Sequence, residues 1–238
     1  MTTLRTQAPS TNGGVSPTVV NARPQLDGAR LSPATLALIG CSTVGGILFA
    51  IVYLIEGATR PGYIAWQQAI SALSLGPGGW VQQANFVFFG VLTLCSAVGW
   101  RWALTPGAAA TWYPVLKFTT GLGLIMDGFL SQDPTSGYPV GATLVAPTLH
   151  AGIHTIFAVV SITSIALGDF VLARRFFQDR RWRGWVIPAV ITGLLTIVFI
   201  ALFGASGGIA GIYERVSTGI NSILSVAILA RLLLDRRW

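Results

Sequence analysis

Charge is what this chain has least of. Its 238 residues include 15 basic and 8 acidic side chains, 10% of the total, where a soluble domain carries about a quarter to keep its surface solvated. That shortage excludes an ordinary cytosolic enzyme, a disordered chain and a solenoid of charged helices. Cysteine and histidine are scarce as well, with two of each. Cys41 and Cys95 both fall inside apolar runs and form no CxxC, which leaves no disulfide framework and reads as packing rather than redox chemistry. Two histidines rule out a three-histidine metal site. The first 33 residues contain no apolar run, so a cleavable signal peptide is not expected and the first span should act as its own uncleaved signal.

What is there is hydrocarbon. Hydrophobic types make up 53% of the chain and the mean hydropathy is +0.67. Six apolar segments can be marked: Ala34 to Ile55, Val81 to Trp100, Trp112 to Leu130, Thr148 to Ala173, Gly184 to Gly204 and Ala210 to Leu234. Each is near the roughly 20 residues that a helix needs to cross the hydrocarbon core of a bilayer. Open sheets cannot lie in lipid, and these runs are too long and uniform for barrel strands. The expected fold is therefore all-α: a polytopic integral membrane protein, a six-transmembrane-helix bundle. Residues 1–33, polar and rich in Pro, Gly, Thr and Asn, read as a disordered cytoplasmic tail, and residues 34–238 as the transmembrane domain.

Basic residues set the expected orientation. With both termini in the cytoplasm, only Arg60 and Arg215 of the 15 lie outside, the asymmetry of the positive-inside rule. The net charge of +7 then suits anionic lipid headgroups at the inner leaflet, where Arg174, Arg175, Arg180, Arg181 and Arg183 cluster. No basic and aromatic groove points to nucleic acid. Trp and Tyr residues collect at both predicted boundaries, as amphipathic rings do. The partners expected are membrane lipids, in the plasma membrane of a prokaryotic cell.

The longest connection, Glu56 to Trp80, holds the segment Tyr63 to Leu75, closed by Gly76-Pro77-Gly78-Gly79. Its Ala, Leu and Gln content predicts a short outer-surface or re-entrant helix, too short to cross. The GASGGIAG run between the last two segments should let backbones approach closely, within one chain or between chains.

The expected topology carries several polar groups to the outer side: Asp127, Asp133, His150, His154, Glu214, Arg215, Ser71 and Ser74. Ionisable groups in a span are costly and tend to face a bundle interior or a wet cavity. His150 and His154, four apart, share a helix face. With Asp127 or Asp133 they offer an acid–base site, or a two-histidine, one-carboxylate site for zinc or another divalent metal built on His150, His154 and Asp133; a hydrogen-bonded structural pair fits the spacing equally. Asp133 beside Pro134 suits a turn that bonds its own backbone, or a ligand contact. Glu214 and Arg215 point about 100° apart and should pair with different elements. Arg215 is a candidate partner for Asp127 or Asp133, or a fork for phosphate or carboxylate headgroups, and Glu214 a candidate holder of a histidine. Ser71 and Ser74 lie in no GxSxG elbow and read as solvated hydroxyls unless one contacts ligand. Asp169 is expected to pair with Arg174 and Arg175.

Four segments in order resemble one family: Ile70-Ser71-Ala72-Leu73-Ser74; Asp133-Pro134 with Gly137-Tyr138-Pro139; His150 with His154 opening a span; and Gly211-Ile212-Tyr213-Glu214-Arg215-Val216-Ser217 opening the last. The pattern resembles the bacterial and archaeal membrane proteins catalogued as domain of unknown function 998. The resemblance covers the chain from Ala34 to the C-terminus and implies a six-helix fold; it implies no particular activity. Three readings of function remain open: a lipid-headgroup-binding or accessory protein, an outward-facing hydrolase or transferase acting on lipid, and a small-solute or proton-coupled transporter.

Overall fold

The computed structural model describes residues 30–135, 137–143, 146–205 and 208–235. The tail up to residue 29, and part of the GASGGIAG run, lie outside the described residues. Six α-helices follow in order: α1 (Pro33–Thr59), α2 (Trp80–Leu104), α3 (Ala109–Phe129), α4 (Leu149–Gln178), α5 (Val186–Ala205) and α6 (Ala210–Asp235). Among the described residues the only β feature is an isolated bridge between Thr135 and Tyr138. Five helices, all but α3, are long and apolar enough to cross a bilayer; the α5 span then counts from Arg183. The third carries Lys117 and Asp127 and is packed between α2 and α4.

Local chemistry sets the helix ends. Ser32 caps α1 by accepting the Thr35 N–H, with a proline at the first helical position. Thr148 caps α4 in the same way through Ala151. In α3, Pro114 has no N–H to give the Ala110 carbonyl. That orphaned oxygen accepts instead from the Arg101 guanidinium of α2 at 2.8 Å. The helix keeps its proline because a neighbour replaces the missing donor.

Each helix packs on its neighbours in the chain, and α6 returns to α1 to close a ring. The connections α1–α2, α3–α4 and α5–α6 share one end, here the loop end. The chain termini and the remaining connections share the other, the terminal end. Two apolar cores follow that division. Phe49, Tyr53, Tyr63, Ile70, Leu73, Phe86 and Tyr138 pack at the loop end. Trp100, Leu104, Tyr113, Leu172, Phe176, Trp182 and Leu232 pack at the terminal end.

The helices are inside out by the standards of a soluble protein. On α1 the buried side chains include Ser42, Thr43 and Glu56 with Gly40, Gly45 and Gly46, while Ile51, Leu54 and Ile55 are exposed. Glu56 is 7% exposed and its neighbour Ile55 59%. Small residues let helices approach closely, and polar groups turn inward, as in bilayer-spanning bundles. Hydroxyls stitch the ring: Ser42 donates to Ser96 at 2.9 Å, Thr43 meets Ser225 at 2.8 Å, and Asn221 donates to Thr196 at 2.7 Å.

The α1–α2 connection departs from the sequence expectation. The segment Tyr63 to Leu75 forms no surface helix; it makes turns followed by a 3-10 turn at Ile70–Ser74. The reason is burial. Ile70, Ala72 and Leu73 are at most 1% exposed, so the segment inserts into the mouth of the ring. Inside it, side chains take over backbone partners: the Ile70 N–H goes to Glu214 of α6, and the Ile64 N–H to the Gln68 side chain of the segment itself. Ser71 and Ser74 are therefore buried, not solvated.

Candidate functional site

A cavity of about 270 Å³ runs through the ring, walled by all six helices and roofed at the loop end by Ile70 and Ser71. Most of its wall is hydrocarbon, supplied by residues such as Phe49, Phe86, Leu124, Ile162, Phe199 and Ile200. Polar side chains gather in two groups. Ser71, Asp127, Gln132, His154 and Glu214 line the loop end; Lys117, Asp169 and Tyr113 line the terminal end.

The loop-end group is built on an aspartate and a histidine facing each other from α3 and α4. Asp127 is 3% and His154 4% exposed. His154 Nδ1 lies 2.8 Å from the Leu130 carbonyl oxygen and 3.3 Å from Asp127 Oδ1. A carbonyl only accepts, so the proton belongs on Nδ1 and the lone pair on Nε2. Nε2 has no protein partner among the described residues, and the ring lines the cavity. Asp127 Oδ1, buried, receives no hydrogen bond because the N–H facing it is aimed at Leu130. A buried acceptor left unmet is costly and marks a place where something else completes the set.

The Ser71 hydroxyl donates to Gln132 Oε1 at 2.6 Å, and Gln132 Nε2 reaches Thr135 at 3.2 Å. Gln132 therefore belongs to the site, although in the sequence it is only a loop residue beside Asp133. Glu214 Oε2 accepts the Ile70 N–H at 2.7 Å.

Four of the sequence candidates thus meet on the cavity: Ser71, Asp127, His154 and Glu214. The others do not. Asp133 spends both oxygens on Thr148, its N–H and its hydroxyl each at 2.8 Å, and so braces the start of α4. His150 Nε2 accepts the Ser131 N–H at 2.9 Å from an exposed position. The metal site expected from His150, His154 and Asp133 is therefore not assembled. Among the described residues no three His, Cys, Asp or Glu side chains come together to hold a metal. Ser74 is buried and does not line the cavity, and its hydroxyl has no partner among the described residues.

Arg215 also departs from expectation, meeting neither Asp127 nor Asp133. Its guanidinium donates to the carbonyls of Gln68 at 3.1 Å and Gly211 at 2.9 Å, and to the Tyr63 hydroxyl. It lies over the rings of Tyr53 and Tyr63, 5.7 and 5.6 Å from their centroids. Burial pushes the Tyr63 hydroxyl up to about 12, more than the neighbouring Arg215 pulls it down, so it stays protonated and donates to the Ala69 carbonyl at 2.9 Å. Glu214 likewise holds backbone rather than a histidine. The pair is a clamp on the α1–α2 connection.

At the terminal end, Asp169 faces the cavity, where the sequence had suggested pairing with Arg174 and Arg175. It is 6% exposed and Oδ2 has no hydrogen-bond partner. Lys117 lies over the Tyr113 ring at 5.8 Å. The signal for Asp169 was in the spacing: His154, Ala158, Ser161, Ile165 and Asp169 follow one another by three or four residues and share a face of α4.

A family model described as "Protein of unknown function (DUF998)" matches residues 43–231. No curated protein and no solved structure matches the chain.

Proposed function

For a chain that belongs to the DUF998 family, we propose a six-span protein of the prokaryotic cell membrane, both termini cytoplasmic, that binds an amphiphilic lipid in its central cavity. The lipid chain lies along the hydrocarbon wall and its polar head sits at the loop end, on the outer side. One observation carries this reading: a single cavity joins a mostly apolar wall to the unmet acceptor of Asp127 and the His154 ring beside it. Pockets of that kind, apolar with a few convergent polar groups, are what small amphiphiles occupy. The apolar outer faces of the helices support the span assignment, and the excess of basic residues on the side opposite Arg60 and Arg215 supports the orientation.

Native mass spectrometry of the detergent-purified protein tests it. A lipid should co-purify in near-equal ratio, and Ala158→Phe, which fills the cavity from α4, should lose it while keeping the melting temperature within a few degrees. Retention of the same lipid by the filled variant would place that lipid on the outer surface instead.

A second reading is favoured by the histidine itself. Nδ1–H is fixed by Leu130 with Asp127 behind it, and the Nε2 lone pair faces the cavity, the arrangement of a general base. In that reading the bound lipid is turned over, and His154→Gln abolishes release of product while binding persists.

A further inference from the structure

The chemistry of the loop-end group says what kind of head it takes, on the premise that the cavity holds an amphiphile. Two carboxylates and an imidazole there each keep an acceptor without a partner among the described residues. Asp127 Oδ1 receives no hydrogen bond. Glu214 uses Oε2 on the Ile70 N–H, and no partner to Oε1 is found among the described residues. His154 Nε2, on a ring 4% exposed, carries a lone pair toward the cavity while Nδ1 is spent on Leu130.

The cations that would balance these groups are committed elsewhere. Arg215 is held by the Gln68 and Gly211 carbonyls and by Tyr63. Arg60 pairs with Glu56 and donates to the carbonyls of Pro77 and Gly78. Lys117 is ten residues earlier in α3, about 15 Å along the helix, at the other end of the cavity. Neither arginine lines the cavity.

We propose that this end of the cavity is a receptor for a primary amine head, held as an ammonium by Asp127, Glu214 and His154. An ammonium offers three N–H donors and no acceptor, one for each of these three acceptors. It brings the positive charge that two carboxylates in a low-dielectric setting need, since buried charges persist only when paired. A phosphate or carboxylate head would face like charge and find no free guanidinium. A hydroxyl head supplies one donor and leaves the charge unmatched.

Three probes with one chain and different heads separate the outcomes: dodecylamine, dodecanol and dodecanoic acid, each titrated against full-length protein in a non-ionic detergent by displacement of a pyrene-tagged dodecyl chain. Dodecylamine should bind about tenfold more tightly than dodecanol, equivalent to one well-made charged contact. Asp127→Asn should remove most of that preference, with an unchanged melting temperature and retained binding of the tagged chain reporting that the variant is folded. Equal affinity of amine and alcohol for the wild type overturns the amine site and leaves the lipid cavity standing. Tightest binding of dodecanoic acid overturns it too, and moves the head to Lys117. Failure of all three to displace the tagged chain removes the cavity reading and this inference with it.

Discussion

Glu214 Oε2 accepts the backbone N–H of Ile70 at 2.7 Å across 144 residues of sequence. Beside it, Arg215 grips the Gln68 carbonyl of the same segment. Two adjacent residues at the start of the last helix, one of each charge, hold the first connection by its backbone.

Loss of that grip should be measurable. Arg215→Met and Arg215→Lys should each destabilise the protein by about 1.5–3 kcal/mol, the range for hydrogen bonds to charged groups. Lysine should not rescue, because a point ammonium cannot reproduce a fork that reaches two carbonyls and a tyrosine hydroxyl. Trypsin cleavage at Arg60 should accelerate in both variants, together with a lower melting temperature in detergent. A lysine variant as stable and protease-resistant as the wild type would show that charge alone suffices.

Gly90 of α2 and Gly121 of α3 mark a close helix crossing. A Cβ on Gly90 would sit 2.7 Å from the Gly121 carbonyl oxygen and 2.7 Å from Ile125. Gly90→Ala should cost about 1–3 kcal/mol through forced separation of the helices. Gly152→Ala, on α4 with nothing within 4 Å of the added methyl, should be neutral or gain up to about 1 kcal/mol in helix propensity. Thermal unfolding of the two variants side by side checks the contrast.

Asp133 should behave as a brace and not as a ligand. Asp133→Ala frees the Thr148 N–H and hydroxyl that open α4, and a lost cap interaction costs about 0.5–2 kcal/mol. Lipid retention by native mass spectrometry should be unchanged in this variant and reduced in Ala158→Phe.

At the terminal end, Asp179 follows α4 and accepts from Arg181 at 2.8 Å. That side-chain bond holds its carboxyl below the ordinary carboxylate range, against a smaller opposing effect of burial. A carboxyl depressed in the folded state lends stability above its unfolded value of about 3.9, and that stability is lost as pH falls through the folded value. The melting temperature of the wild type should therefore fall more steeply than that of Asp179→Asn below about pH 4. Parallel curves would assign no net stability to the pair.

The helices were legible because each is a long run of one chemical kind, and a bilayer demands such runs. The meeting of Ser71, Asp127, His154 and Glu214 was legible from topology, which brings those ends of the chain together. Their partners were not. Glu214, Arg215, His150 and His154 are all bound to backbone N–H or carbonyl groups, and the backbone is the same at every position of a sequence. The short outer helix failed for a related reason: composition favours a helix at Tyr63 to Leu75, but burial of Ile70 and Leu73 with hydrogen bonds from α6 outweighs propensity.

The order of packing around the ring has a consequence for how the protein is made. From α1 to α5 each helix packs chiefly on the helices next to it in the sequence. The two ends of the bundle meet where α1 packs against α6, with Thr43 beside Ser225, and there the Glu214–Arg215 clamp closes on the first connection. Without the 26 residues of α6, the ring would stand open between α5 and α1, baring the polar side chains that line the cavity. Addition of α6 closes the ring around the cavity, so under the lipid-binding proposal an amphiphile lying in the trough before that step would be enclosed with it.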